Sequence, residues 1–194
     1  MKGCRALTEQ EVEQVLEGFS GGNRLRDRCL FLLGVRSGFR ISELLSLRVG
    51  DLMQNGRVTD RVGVARQFMK RKQEGRAVIL HPVAKAAVAD RVAELAKAGR
   101  TAPDIYLFQS QRGHNKPLTR TGAWSLLKSA FESLGMTGKL ATHSMRKTFA
   151  DRVYSKLNYD LVKTQRAMGH RSIQSTISYL SFKEEEVEQA ILSI

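Results

Sequence analysis

The sequence predicts a mainly α-helical fold with one small antiparallel β-sheet, the α+β class. Three observations predict it. Apolar residues recur at three- and four-residue spacing over most of the 194 residues. That spacing gives way to short valine-rich runs between about Arg57 and Leu80. Helix start and stop residues bracket the periodic segments, and no internal repeat, low-complexity tract or Pro-rich linker interrupts them.

The first helix starts behind Thr8-Glu9-Gln10-Glu11, a capping box in which Thr8 and Glu11 satisfy each other's backbone amides. Val12, Val15, Leu16 and Phe19 follow at helical spacing, and Gly21-Gly22 is the expected end. A second helix is expected from about Leu25 to Arg36, closed by Ser37-Gly38, and a third begins near Arg40 with Ile41, Leu44 and Leu45 on one face. Val58, Val62, Val64, Phe68 and Ala77 to Leu80 predict short strands, with Gln73-Glu74-Gly75 as a turn. A helix runs from Pro82 to about Lys97, ended by Ala98-Gly99. Thr101 to Pro117 is a connecting loop with Tyr106, Leu107 and Phe108 expected inside. Further helices are expected over Thr119–Leu134, His143–Leu157, Tyr159–Met168, Ser172–Leu180 and Lys183–Leu192.

Charge narrows the function. Lys and Arg number 32 against 19 Asp and Glu, a net +13. Self-repulsion of that size is most simply explained by a polyanionic partner, with nucleic acid first and an anionic membrane second. The longest apolar run, Cys29 to Val35, is too short to span a bilayer, and no signal-peptide pattern follows the basic N-terminus. Cys4 and Cys29 are too few for a disulfide framework or a zinc site, and Cys29 reads as a core residue. The expectation is a cytoplasmic protein.

Cleaving a phosphodiester without a metal makes four demands: a nucleophile, cations on the non-bridging oxygens, an acid for the departing 5′-oxygen, and a group for the nucleophile's proton. Arginine suits the second, since its planar fork holds two phosphate oxygens and keeps its charge. Lysine suits the third when neighbouring cations lower its pKa. Gly38-Phe39-Arg40-Ile41-Ser42-Glu43-Leu44 puts an arginine at a helix start, where the dipole disfavours it, with Glu43 one turn later. A basic turn between strands carries Lys70, Arg71, Lys72 and Arg76. His143-Ser144-Met145-Arg146 places His143 and Arg146 on one helix face. Gly169-His170 follows a helix end, and Tyr179 lies nine residues beyond His170.

This order resembles the tyrosine recombinase (phage integrase) family, whose pattern is Arg, Lys, His-x-x-Arg, His or Trp, then Tyr. The resemblance runs from about Leu7 to Ile191. Thr142 to Ala150 is similar to the family's second box, and Met168 through Thr176 to Tyr179 to its third. It implies a recombinase catalytic core over residues 1–194, without the core-binding and arm-binding domains that precede it in most members. A chain of that extent is expected to bind DNA weakly, with strong salt dependence and poor sequence selectivity.

The resemblance makes Tyr179 the nucleophile, giving a 3′-phosphotyrosyl intermediate and a free 5′-hydroxyl. Arg40 and Arg146 would hold the scissile phosphate, His143 would help handle the Tyr179 proton, and His170 would donate to a phosphate oxygen. Glu43 would orient Arg40. Lys70 is assigned as the acid, with Lys72 as the alternative, while Arg71, Lys72 and Arg76 would grip the DNA backbone. No cofactor or metal is implied.

The expected partner is double-stranded DNA, bound by a homo-oligomer, a tetramer held together through the C-terminal helix, in which Val187, Ala190, Ile191 and Ile194 lie near one face. Cleavage in cis or in trans stays open, as does the mobile element served. Two other readings remain: a type IB topoisomerase-like nicking-closing enzyme, and a non-catalytic DNA-binding regulator. Taken singly, each residue has a plain structural explanation. Tyr179 could be a core aromatic, Tyr154 and Tyr159 are rival phenols without a Gly-His nine residues earlier, and His81 and His114 read as surface or structural.

Overall fold

Seven consecutive buried residues, 29–35, set the centre of the fold. They belong to α2 (Arg24–Ser37), and a helix that is apolar on every side has to be wrapped by others. In this computed structural model, which describes residues 3–64, 76–180 and 184–194 (side chains of 64, 76 and 184–187 excluded), α1 (Glu9–Gly18), α3 (Ile41–Ser46) and α5 (Pro82–Lys97) do the wrapping. Phe31 and Leu33 are fully buried, each contributing about 1.5–3 kcal/mol of hydrophobic transfer. Cys29 is buried too, and desolvation pushes its thiol far above the ordinary range, which fits a core residue.

The described residues gather into two compact units, Met1–Phe149 and Ala150–Ile194. In the first, the capping box of α1 forms: Thr8 Oγ1 accepts from Glu11 N at 3.1 Å and Glu11 Oε2 accepts from Thr8 N at 2.9 Å. The helix ends before the expected Gly21-Gly22, at Gly18. Phe19 turns out of it to pack edge-on against Phe31 at 5.9 Å, and Gly21–Asn23 make a single 3-10 turn. Arg5 donates to the Glu11 carboxylate and to the Thr137 carbonyl, pinning the start of the chain.

Two elements absent from the sequence expectation follow α3, α4 (Val49–Leu52) and β1 (Met53–Gln54), and the strand expected at Val58 is present as β2 (Arg57–Val58). Asn55 and Gly56, at φ 51° and 74°, make the two-residue turn that joins these strands, the left-handed pair such hairpins need. The expected basic hairpin is present as β3 (Arg61–Val64) antiparallel to β4 (Arg76–Ile79), in the register Val62↔Val78. Val62 and Val78 face the core while Ile79 is 61% exposed, the alternation of a half-buried sheet. Phe68 and the predicted turn at Gln73-Glu74-Gly75 lie outside the described residues.

His81 caps α5, its Nδ1 accepting from Val83 N, and His114 is exposed. The loop after α5 is stitched down by Leu107 N to Leu47 O and Leu118 N to Phe108 O. Ile105, Leu107 and Phe108 are buried, but Tyr106, expected inside with them, is only half-buried. In an extended segment neighbouring side chains leave on opposite sides. The Tyr106 ring turns outward under the Arg48 guanidinium, 4.8 Å from its centroid, and its hydroxyl accepts from Arg48 at 3.2 Å. Thr119 then caps α6 (Arg120–Ser133), which packs against α1 and α3 through Ala123, Leu127 and Phe131.

α7 (Thr142–Lys156) carries the boundary between the units within its length. The second unit continues with α8 (Leu161–Met168), α9 (Ile173–Ile177) and α10 (Glu184–Leu192). The helix expected from Tyr159 starts at Leu161 instead. Asn158 and Tyr159 take positive φ, and the Asp160 carboxylate caps Lys163 N at 2.8 Å. Tyr154 and Tyr159, the rival phenols, stack edge-to-face at 5.3 Å. No helix among the described residues is long and apolar enough to cross a membrane.

Candidate active site

The sharp turn between α2 and α3 positions Arg40. Gly38 closes α2 at φ 63°, where a side chain would be strained, and a Cβ there would run into the Phe149 ring. Arg40 is the last extended residue before α3, and Glu43 sits one turn inside. Glu43 is 1% exposed, and its carboxylate accepts twice from the same residue: from Arg40 N at 2.7 Å and from Arg40 Nη1 at 2.8 Å. A buried carboxylate that satisfies a helix-start amide and grips the side chain of that residue leaves the guanidinium little freedom. The Arg40 side chain is 37% exposed, so a solvent-borne anion can reach it.

α7 supplies the second part. Gly34 lets it approach α2 closely: a Cβ at Gly34 would overlap Met145, whose own Cβ lies 3.0 Å from that point. Thr148 Oγ1 accepts from Leu7 N at 2.8 Å and donates to Ser144 O, anchoring the helix from its other side. Arg146 is 2% exposed while His143 is open to solvent. The His143 pKa is held below its ordinary value, first by partial desolvation and then by Arg146, Arg120, Arg40 and Lys147. The ring is therefore biased toward the neutral form, which can accept a proton.

Two of these cations, Arg120 and Lys147, are not singled out by the sequence pattern. Arg120 is exposed in the first turn of α6, an unfavourable end for a cation, and among the described residues it has no carboxylate partner. The same dipole argument that marks Arg40 could have found it. Lys147 directly follows Arg146 and is half-buried.

His170 and Tyr179 belong to the second unit. Gly169 closes α8 at φ 62°, and His170 N donates to Gln165 O while the Gln165 side-chain amide donates back to His170 O. His170 Nδ1 lies 3.1 Å from Thr176 Oγ1 in α9. The turn after α9 brings the Tyr179 ring to 5.0 Å from the His170 ring at a 47° tilt. Both residues are half-buried.

The first unit thus groups Arg40, Glu43, His143 and Arg146, and the second pairs His170 with Tyr179. Lys70, Arg71 and Lys72 lie outside the described residues, as does the side chain of Arg76 at the start of β4. Among the described residues no three His, Cys, Asp or Glu side chains gather as a metal-ligand set.

Comparison with known proteins shows what the chain is similar to as a whole. A tyrosine recombinase XerC from Herpetosiphon aurantiacus is 32% identical over 180 residues, covering 90% of this chain and 55% of that protein. The probable integrase/recombinase YoeC of Bacillus subtilis is 26% identical and is matched over 91% of its length. The chain thus spans about half the length of the XerC protein and nearly all of YoeC. Among solved structures, a XerH site-specific recombinase in a post-cleavage complex with its palindromic difH substrate superposes with a TM-score of 0.74 at 26% identity. The match covers 96% of this chain and 51% of that one. XerA recombinase superposes at 0.76 with 20% identity, over 98% of this chain and 65% of that one, a likeness of fold. The sequence profile described as the Phage integrase family matches residues 5–186. With that profile matched almost from end to end, the chain belongs to the phage integrase family.

Proposed function

We propose that this chain is the catalytic part of a tyrosine-type site-specific DNA recombinase, which cuts and rejoins double-stranded DNA through a 3′-phosphotyrosyl intermediate. The observation that carries the reading is the Arg40–Glu43 clamp beside His143 and Arg146, a set of cations held for a phosphate in a chain of this family. In the proposed reaction Tyr179 Oη attacks the scissile phosphorus. A P–O bond to tyrosine forms and the bond to the 5′-oxygen breaks. Arg40 and Arg146 neutralise the charge that builds on the non-bridging oxygens. His143 takes up the phenol proton, for which its bias toward neutrality suits it. His170 donates to a phosphate oxygen, and Lys70, with Lys72 as the alternative, supplies the proton to the departing 5′-oxygen, which leaves as the hydroxyl. Rejoining runs the same steps backwards, so the phosphotyrosine conserves the bond energy and no cofactor is needed.

Arg71, Lys72 and Arg76, on the basic hairpin, would hold the flanking backbone; the net charge of +13 supports a polyanionic partner. A homotetramer on DNA, joined through α10, is part of the proposal. Its support is the exposure of Ile191 (64%) and Ile194 at the chain end. The chemistry requires that Tyr179, of the same chain or of a neighbour, reach the phosphate held by Arg40 and Arg146.

A nicked suicide duplex carrying the target site tests the reading. The expected result is a covalent protein–DNA adduct that Tyr179→Phe abolishes. No adduct from the unaltered chain would leave a DNA-binding regulator. Relaxation of supercoils without paired sites would indicate a nicking-closing enzyme instead.

A further inference from the structure

Thr176 is fully buried in α9, and its hydroxyl lies 3.1 Å from His170 Nδ1. A threonine inside a helix commonly returns its proton to the carbonyl one turn earlier. Here that carbonyl belongs to Ser172, which accepts from Ser175 N, and no hydrogen bond from Thr176 Oγ1 to it forms among the described residues. The acceptor that the described residues offer to the Thr176 hydroxyl is therefore the imidazole nitrogen. A buried hydroxyl left without an acceptor forfeits its hydration with nothing in return. Were Nδ1 protonated, it would donate to Oγ1 and strand the hydroxyl proton. With Nδ1 bare, the hydroxyl donates to it and both groups are satisfied.

We propose that Thr176 is a positioning residue that fixes His170 in the tautomer carrying its proton on Nε2 and sets the ring's orientation beside Tyr179. A neutral imidazole has one donor nitrogen, and which one it is follows from the bond made by the other. With Nδ1 occupied as an acceptor, Nε2–H is the donor. The tilted contact of the two rings, 5.0 Å between centroids, keeps the imidazole that carries this donor beside the Tyr179 ring. The identity of its acceptor, a phosphate oxygen, rests on the recombinase reading; the tautomer does not.

Two readouts separate these layers. Long-range proton–nitrogen NMR on the 15N-histidine-labelled chain reads the tautomer of His170 without DNA. The expected spectrum shows a protonated Nε2 and a bare Nδ1 in the unaltered protein, a mixture in Thr176→Val, and the original form in Thr176→Ser. A protonated Nδ1 in the unaltered chain overturns the proposal, and that measurement needs no variant to fold. An unchanged tautomer in Thr176→Val overturns it as well. With saturating suicide duplex, Thr176→Val should form adduct about 10- to 100-fold more slowly, the range expected for one phosphate hydrogen bond. DNA affinity should be unchanged and Thr176→Ser should be close to normal. A shifted tautomer with an unchanged rate overturns the positioning role. Failure of the unaltered chain to form adduct would count against the recombinase reading alone, because the NMR result stands independently.

Discussion

Glu43→Gln separates holding the fold from aiming Arg40. The amide keeps the shape of the carboxylate, so no cavity opens at a position only 1% exposed. Its carbonyl can replace one carboxylate oxygen, but its NH2 must then face a second donor, either Arg40 N or Arg40 Nη1, now 2.7 and 2.8 Å from the two oxygens. One charge-assisted bond, worth about 1.5–3 kcal/mol, becomes a donor–donor contact, and the other falls to the strength of a neutral bond. The guanidinium is more than a third exposed, so water screens the ion pair and recovers part of the loss. The expected destabilisation is about 2 kcal/mol, read from the urea midpoint at constant m-value. Cleavage should suffer more than that figure suggests. A guanidinium displaced by about 1 Å costs on the order of 100-fold in rate. Adduct formation at saturating DNA should fall by that factor, while Glu43→Asp, which keeps the charge and shortens the reach, should fall less. A Glu43→Gln protein that is less stable but cleaves within about threefold of normal would refute the reasoning: Glu43 would then be a folding residue with no hold on the chemistry.

Further perturbations probe the α2–α3 turn, the charges around His143 and the end of α10. Gly38→Ala combines a positive φ with overlap on Phe149 and should cost about 2–4 kcal/mol in urea unfolding. Gly21→Ala, at φ 71° with open space around it, should cost about 1 kcal/mol; equal losses would show that Phe149 is not the obstacle. Desolvation and four cations hold His143 below its ordinary pKa, so its share of stability is complete above that ordinary value. The share is lost as pH falls from there through the lowered folded value, because the unfolded chain then binds the proton more readily. Arg120→Gln should move the His143 titration upward when followed by NMR, and a downward or absent shift would remove Arg120 from the electrostatics of the site. Finally, Ile191→Asp with Ile194→Asp should change stability by less than about 0.5 kcal/mol, since both side chains are exposed. Assembly on DNA, measured by sedimentation, should fail; intact assembly would exclude the apolar end of α10 from the interface.

Much of the fold is legible in the amino-acid order alone, for reasons particular residues make clear. The capping box at Thr8 and Glu11 is local chemistry and needs no tertiary context. The spacing of His143 and Arg146 on α7 follows from helical periodicity. Val58 is read as strand, but its partner Met53 and the turn at Asn55-Gly56 escape a reading by periodicity although the dipeptide announces it, because a strand of two residues leaves too little alternation to register. Tyr106 is misplaced by that reading because an apolar triplet does not say which member of an extended run faces outward. The partner that draws it out, Arg48, lies 58 residues away. Burial of Glu43 is invisible for a related reason. A carboxylate in a helix resembles any solvated one until the elements around it close. Arg120 influences His143 from another helix, α6, which packs on α1 and α3, so its membership of the charged group depends on long-range contacts.

The two glycines that let α7 lie against α2 and the turn after it leave the region around Arg40 and Arg146 no spare room. Where bare hydrogens face Met145 and Phe149, every added methyl becomes a wedge. Under the proposed function, changes along this seam would therefore mimic the loss of Arg40 or Arg146. Anyone redesigning the chain has reason to leave Gly34 and Gly38 alone.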